Sequence, residues 1–196
     1  AIHSKGVMLL TGYLGNKYAQ HFSLTLSANI AIEQSYGYID GDSASLAELC
    51  ALISAITSLP ISQSIALTGS INQHGDVQAI GGVNEKIEGF FKLCKMRGLT
   101  GEQGVIIPKS NQVNLVLDDE ILNAVELGKF NIFAVETVDQ ALNLLMDIDA
   151  GDMIDEQYPE DSVNGIALAR LKDIADIVNG DNSDDKDDSE DEKGEL

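Results

Sequence analysis

The sequence predicts an α/β domain, an α+β sandwich with an aliphatic core, and three observations predict it. Hydrophobic residues fill 44% of the 196 positions while aromatics fill only 5%, which suits one domain packed from branched aliphatic side chains. In the second half of the chain, short β-prone runs alternate with amphipathic helical stretches, the pattern of helices packed on a sheet. Proline or glycine stands where several of these elements stop, as Pro60, Pro108 and Gly128 do.

Taken in order, Gly6 to Thr11 is a short apolar run that predicts a strand. Gly12 to Gln20 adds turn residues and then a helix reaching toward Ser27. From Ala28, Ile30 and Ile32 alternate with Asn29, Ala31 and Glu33, which predicts a strand leading through Tyr36-Gly37-Tyr38 into a loop from Asp40 to Ser43. Leu46, Leu49, Cys50, Ile53 and Ile56 then form a helical stripe, with Ser45 and Glu48 as a possible capping box, although Asp42 or Ser43 is an equal candidate to begin the helix. Ser64 to Ile71 and Val77 to Ile80 predict a hairpin joined by Asn72-Gln73-His74-Gly75-Asp76. Ile65 and Leu67 share one face of its first strand, and Ser64, Ala66, Thr68 and Ser70 the other.

Gly81-Gly82 opens a helix whose stripe is Val83, Ile87, Phe90, Phe91 and Cys94, with Lys86 at the stripe's edge. Gly104 to Ile107 and Ile132 to Val135 are strands, Asp119 to Leu127 is a helix, and Thr137 to Met146 is a helix with Thr137 and Gln140 as its capping box. The domain assignment is then 1–150 for the main domain, and 151–179 for a polar connector and a helix carrying Val163, Ala167, Leu171, Ile174 and Val178. Residues 180–196 are a tail with nine acids and two lysines, expected to be disordered because it has little apolar area to bury.

The net charge of −20 argues against nucleic acid or an anionic membrane as partner. No apolar run approaches the roughly 18 residues of a membrane helix. Cys50 and Cys94 lie on apolar helical faces and read as reduced, packed thiols of a cytoplasmic protein. No His/Cys/Asp spacing suggests a metal site, and none of the three histidines has a triad pattern around it.

What the chain does offer is a hydroxyl and an amine. Asp40-Gly41-Asp42-Ser43-Ala44-Ser45 supplies a serine ahead of a helix, and Gly81-Gly82-Val83-Asn84-Glu85-Lys86 supplies a lysine. A serine hydroxyl attacks a carbonyl usefully only when a base takes its proton, and a lysine amine held neutral is such a base. Ser43 and Lys86 are therefore the catalytic candidates. An ordinary lysine, with a pKa of about 10.4, carries a neutral amine in only about one molecule in 2,500 at pH 7, so its surroundings must lower that value. Taken alone, Thr68 reads equally well as a strand threonine, and Lys86 as a lysine snorkelling from the core's edge.

This segment resembles the proteolytic domain of the Lon protease family over roughly Lys5 to Leu145. Ser43 stands at the family's nucleophile, Thr68 in Leu67-Thr68-Gly69 at its hairpin threonine, Lys86 in Gly-Gly-x-x-x-Lys at its general base, and Asp40 at its acidic position. Gly-Asp-Ser-Ala-Ser is similar to the B-type branch, with Asp42 and Ser45 where many members have Pro and Gly. The resemblance implies the family's α+β sandwich, a fold shared with a domain of a small-subunit ribosomal protein. It also implies a serine endopeptidase with a Ser-Lys dyad acting on unfolded or misfolded proteins. It implies further strands upstream, an ATPase unfoldase in the same polypeptide and a ring usually of six subunits; the first residue, Ala1, fits a piece of a longer protein. No cofactor is expected in this chain, ATP and Mg being expected only for the ATPase.

Thr68, Asp40 and Asp42 are the expected supporting residues. Thr68 would orient the amine and the serine, and N–H groups at the start of the Ser43 helix would hold the oxyanion. Asp40 or Asp42 pointing inward would keep Lys86 protonated and repel the oxyanion, so an active state must turn them away, while in the isolated domain the Ser43 loop can rest with a carboxylate against Lys86. Two readings compete with the enzyme: a non-catalytic Lon-like assembly domain, and a phosphate cradle at Gly81-Gly82, which lacks Gly-x-x-x-x-Gly-Lys-Ser/Thr.

Overall fold

The computed structural model describes residues 2–33 and 41–187. Its helices are α1 (Ile2–Tyr18), α2 (Ser45–Thr57), α3 (Val83–Arg97), α4 (Asp119–Glu126), α5 (Val138–Leu145) and α6 (Val163–Asp187). Its strands are β1 (Ile65–Leu67), β2 (Ser70–Ile71), β3 (Val77–Gln78), β4 (Gly104–Pro108) and β5 (Asn131–Val135). A parallel sheet in the order β1-β4-β5 lies at the centre, and β2 and β3 pair separately as an antiparallel hairpin.

Each strand of the parallel sheet presents alternate residues to its two faces, and both faces are covered, as parallel strands require. Ile106 of β4 joins a core with Leu10, Tyr13 and Leu14 of α1, Leu46, Leu49 and Ile53 of α2, Leu142 of α5 and Ala167 of α6. Val105 and Ile107 point the other way, into a second core with Ile87 and Phe91 of α3, Ile121 of α4 and Phe130. The result is helices, sheet, helices: the α/β sandwich read from the alternation of elements.

Three stretches differ from the sequence reading. Gly6–Thr11 is part of α1, not a strand, and Gly12 and Gly15 lie inside the same helix, which ends at Tyr18 rather than reaching toward Ser27. Leu10, Tyr13, Leu14 and Tyr18 are all buried at helical spacing, and a short apolar run does not distinguish a strand from a buried helix turn. Residues 28–33 form no strand, with Ile30 45% and Ile32 42% exposed; a strand exists through pairing, and no described strand pairs with this segment. Tyr36-Gly37-Tyr38 and Asp40 lie outside the described residues. Finally, α6 continues past Asn179 to Asp187, into the stretch expected to lack structure, because extending a formed helix adds a hydrogen bond for each residue fixed; residues 188–196 lie outside the description.

The expected strand from Ser64 to Ile71 is divided at Thr68-Gly69, and this division builds the site. Gly69 donates its N–H to the Ser43 carbonyl at 2.9 Å and accepts from Leu46 N–H at 3.1 Å. Both its backbone groups thus serve the head of α2 rather than a ladder. A Cβ at position 69 would meet Leu46 and Val77 at 3.0 Å, so glycine is what lets the strand approach. The Ser45/Glu48 capping box is also absent: Ala44 is the N-cap without a side-chain bond, and Ser45 Oγ instead accepts from Ile71 N–H at 3.1 Å. The hydroxyl is used to tie α2 to β2. Thr137 does cap α5, accepting from Gln140 N–H, while Gln140 reaches back to Glu136 N–H at 2.7 Å.

Candidate active site

Three elements converge on one point. The turn ahead of α2 carries Ser43, held by two hydrogen bonds to its carbonyl, from Gly69 N–H at 2.9 Å and from Thr68 Oγ1 at 3.2 Å. Thr68 follows β1 and continues its pairing with β4 through a bond from its N–H to Ile106 O at 3.0 Å, which fixes the hydroxyl relative to the sheet. Lys86 lies in the first turn of α3, whose N-cap Gly82 adopts φ 68°, a left-handed conformation that glycine reaches without strain. The Gly81-Gly82 pair therefore sets the direction in which α3 leaves the hairpin.

From there the Lys86 side chain reaches back across the gap. Its Nζ lies 2.9 Å from Ser43 Oγ and 3.1 Å from Thr68 Oγ1. The neighbouring Ile87 is fully buried and anchors the helix, so the lysine stem crosses a surface that does not move. Burial holds the Lys86 amine below the ordinary lysine value of 10.5. The start of α3 acts in the same direction, because the positive end of a helix disfavours a cation. The residue as a whole remains exposed.

A cavity of about 270 Å³ opens beside the dyad, lined by Ala47, Ala66, Leu67 and Val105 together with Ser43, Thr68 and Lys86. Among the described residues its wall carries no carboxylate. A larger hollow of about 450 Å³ between β5 and α5 shares no residue with the dyad, so size alone does not locate the chemistry.

Of the residues singled out by the sequence, Ser43, Thr68 and Lys86 are brought together, and Asp40 lies outside the described residues. Of the two acids, Asp42 is the one within the described residues. Its carboxylate does not rest against Lys86 but accepts from Lys5 Nζ of α1 at 3.0 Å. That bond to Lys5 holds the Asp42 carboxyl below the usual carboxylate range. The reason is positional: the start of α1 lies against the start of α2, where a Cβ on Gly6 would sit 3.7 Å from Ser45 Cβ. Sequence reasoning missed Lys5, which is 37 residues away and sits in a stretch read as the approach to a strand. It missed the doubled role of Gly69 for the same reason, since neither leaves a local signal.

Known proteins resemble the chain along much of its length. A family model described as the Lon protease (S16) C-terminal proteolytic domain matches residues 20–147. A candidate Lon protease homolog of Escherichia coli is 52% identical over 147 residues, 75% of this chain and 25% of that protein. A second, from Haemophilus influenzae, is 48% identical over 179 residues, 89% of this chain and 29% of that protein. An archaeal Lon protease of Methanocaldococcus jannaschii is 39% identical over 120 residues, 61% of this chain and 16% of that protein. The chain spans between a sixth and a third of the length of these relatives, and the part it spans belongs to the Lon protease C-terminal proteolytic domain family.

Proposed function

We propose that this chain is a serine endopeptidase domain in which Ser43 is the nucleophile and Lys86 its general base. The observation that carries the reading is the approach of Lys86 Nζ to within 2.9 Å of Ser43 Oγ beside an apolar cavity with no carboxylate in its wall. With the amine neutral, the polarity of this contact reverses: Ser43 O–H donates to Nζ. Attack of Oγ on the peptide carbonyl passes the hydroxyl proton to Lys86, and the resulting ammonium protonates the departing amine. Water then repeats the sequence against the acyl-enzyme and restores Ser43. Thr68 accepts from Nζ at 3.1 Å and donates to the Ser43 carbonyl, so one hydroxyl positions both partners.

The oxyanion falls to the head of α2. Ser45 N–H is already bonded to Asp42 O at 3.0 Å, Leu46 N–H to Gly69 O at 3.1 Å and Glu48 N–H to Ala44 O at 2.9 Å, which leaves the Ser43, Ala44 and Ala47 N–H groups as the candidate donors. The substrates this site suits are extended peptide segments of unfolded or misfolded proteins, reached in the cytoplasm. Degrading a folded protein needs an unfolding engine, and we assign that work to an ATPase elsewhere in the polypeptide and to a ring of subunits, six by family resemblance. The isolated chain then cleaves short or unstructured peptides and does not respond to ATP.

A fluorogenic unstructured peptide and a serine-directed active-site label, applied to the wild type and to Ser43→Ala, test the reading. Cleavage and labelling that both vanish in Ser43→Ala support it. Cleavage that persists in the variant excludes Ser43 as nucleophile.

A further inference from the structure

The residue beside the nucleophile poses an electrostatic problem. Asp42, like any ordinary aspartate, is ionised near neutral pH, and its bond to Lys5 lowers its pKa further. It is also one residue from Ser43, whose hydroxyl touches Lys86. A carboxylate turned into the cleft would raise the affinity of Lys86 for its proton and oppose an oxyanion at the head of α2.

We propose that Lys5 is a positioning residue of the site: by pairing with Asp42 it turns that carboxylate toward α1 and keeps the cleft around Lys86 clear of negative charge. The inference rests on the Ser43–Lys86 reading above and deepens it. Three features support the assignment. First, the Asp42 main chain is fixed, its carbonyl accepting from Ser45 N–H at 3.0 Å, so the choice of partner lies with the side chain alone. Second, Lys5 stands on a rigid element, since α1 buries Leu10, Tyr13, Leu14 and Tyr18 in the main core. Third, the start of α1 abuts α2 through Gly6, which has Ser45 and Glu48 as its nearest neighbours and sets Lys5 above Asp42.

Among the described residues, the charged groups facing this corner are few. Asp42 comes from the turn, Lys5 from α1 and Glu48 from α2. On α3, Glu85 lies back toward Gly82, and Glu88 faces Lys92 at 3.9 Å. From β1 and β4 the cleft receives Ala66, Leu67, Thr68 and Val105, none of which titrates in the working range. Asp42 and Glu85 each stand one residue from a member of the dyad; Glu85 is turned back toward Gly82, and Asp42 is drawn aside by Lys5. Because the Lys5 side chain is 61% exposed, the pair is a bias rather than a lock, and salt loosens it.

The test compares wild type, Lys5→Ala, Lys5→Arg, Asp42→Asn and the double variant Lys5→Ala/Asp42→Asn. For each, kcat/KM on an internally quenched unstructured peptide is measured against pH, and the Lys86 side chain is titrated by NMR. Melting temperature checks that each variant is folded. Lys5→Ala is expected to move the alkaline limb and the Lys86 titration upward by about half to one pH unit, lowering kcat/KM at neutral pH about three- to tenfold. Lys5→Arg keeps the wild-type profile. In the Asp42→Asn background, Lys5→Ala changes nothing further. A Lys5→Ala profile that overlies the wild type overturns the inference, as does an equal loss in the Asp42→Asn background. If the wild type cleaves no peptide, the peptidase reading fails while the NMR titration still decides the role of Lys5: a Lys86 pKa indifferent to Lys5 overturns it, and one that rises only when Asp42 is present upholds it.

Discussion

Two lysines in this domain sit in polar clusters, and their surroundings are opposite. Lys17 of α1 is the more deeply set, its side chain only 14% exposed, with Asp139 Oδ1 at 2.5 Å and the rings of Tyr13, Tyr18 and Tyr158 at 5.5, 5.9 and 6.0 Å. Asn164 of α6 completes the cluster by accepting from Tyr18 Oη at 2.6 Å and donating to Gly151 O at 2.9 Å. The ammonium there meets a carboxylate and three π faces, and the cluster joins α1, α5 and α6. Lys86 is more exposed, yet among the described contacts it meets two hydroxyls and no carboxylate. On the proposed reading it is not depth that suits Lys86 to act as a base, but a hydroxyl to deprotonate and no counter-charge among the described contacts.

The comparison predicts that the two clusters fail in different ways. Ser43→Ala should lower peptide cleavage at least about 10³-fold with the melting temperature unchanged, because a turn residue ahead of a helix contributes little packing. Lys86→Arg should be as damaging as Lys86→Ala, since a guanidinium remains charged and accepts no proton near neutrality. Steady-state assays beside thermal unfolding check both. Most of the wild-type rate surviving in Lys86→Arg would break the assignment of the base.

The Lys86 amine is held below 10.5, which fixes the sign of its pH dependence. Activity should rise with pH as the amine deprotonates. Stability should rise too between the folded value and 10.5, because the unfolded chain binds the proton more tightly in that window. Lys17 does not touch Ser43, so Lys17→Ala should keep the pH-rate profile of the folded domain.

How much of this was legible in the sequence follows from the range of each interaction. The helix of Leu46 to Ile56 and the caps at Thr137 and Gln140 are local, set by spacing within a few residues, and the structure contains them. Ser43, Thr68 and Lys86 were legible as a set because their motifs lie within 44 residues of one another and carry the family pattern. The Lys17 cluster was not, since Asp139 and Asn164 are 122 and 147 residues away and nothing in the sequence of α1 names them. The same holds for Lys5 and Asp42. Gly6–Thr11 misled because three glycines in α1, at 6, 12 and 15, weaken the helical signal that burial of Leu10, Tyr13 and Leu14 later overrides.

Smaller effects sharpen the contrast. Thr68→Val removes the hydroxyl that bonds both Nζ and the Ser43 carbonyl, and should lower kcat/KM about ten- to 10²-fold, with Thr68→Ser restoring much of it. Lys17→Ala should leave kcat/KM within about twofold but lower the melting temperature by about 4–8 °C, the consequence of stranding a half-buried carboxylate at a cost of about 2 kcal/mol. A Lys17→Ala variant that melts like the wild type would show that Asp139 finds water or Asn164 instead, and that the cluster is not the fastening the geometry suggests.

The smallest effect concerns where the Lys17 region ends along α6. Val163, Ala167 and Leu171 are buried in the main core, and Asn164 reaches the tyrosine cluster, so the first turns of this helix are part of the fold. Farther along, Ile177 is 60% exposed and Gly180 is exposed, so the helix has left the core before the acidic stretch begins. Residues 180–196 hold nine acids and two lysines, and acidic charge at a helix C-terminus is unfavourable to the helix dipole. Deleting 180–196 should therefore change the melting temperature by less than about 2 °C and leave peptide cleavage unaltered. Moving the cut back to remove Asn164 onward should instead unfold the domain, because it strips Ala167 and Leu171 from the core and Asn164 from Tyr18. Circular dichroism melts of the two truncations separate these outcomes, and a large loss from the shorter deletion would place the end of the Lys17 region beyond Gly180.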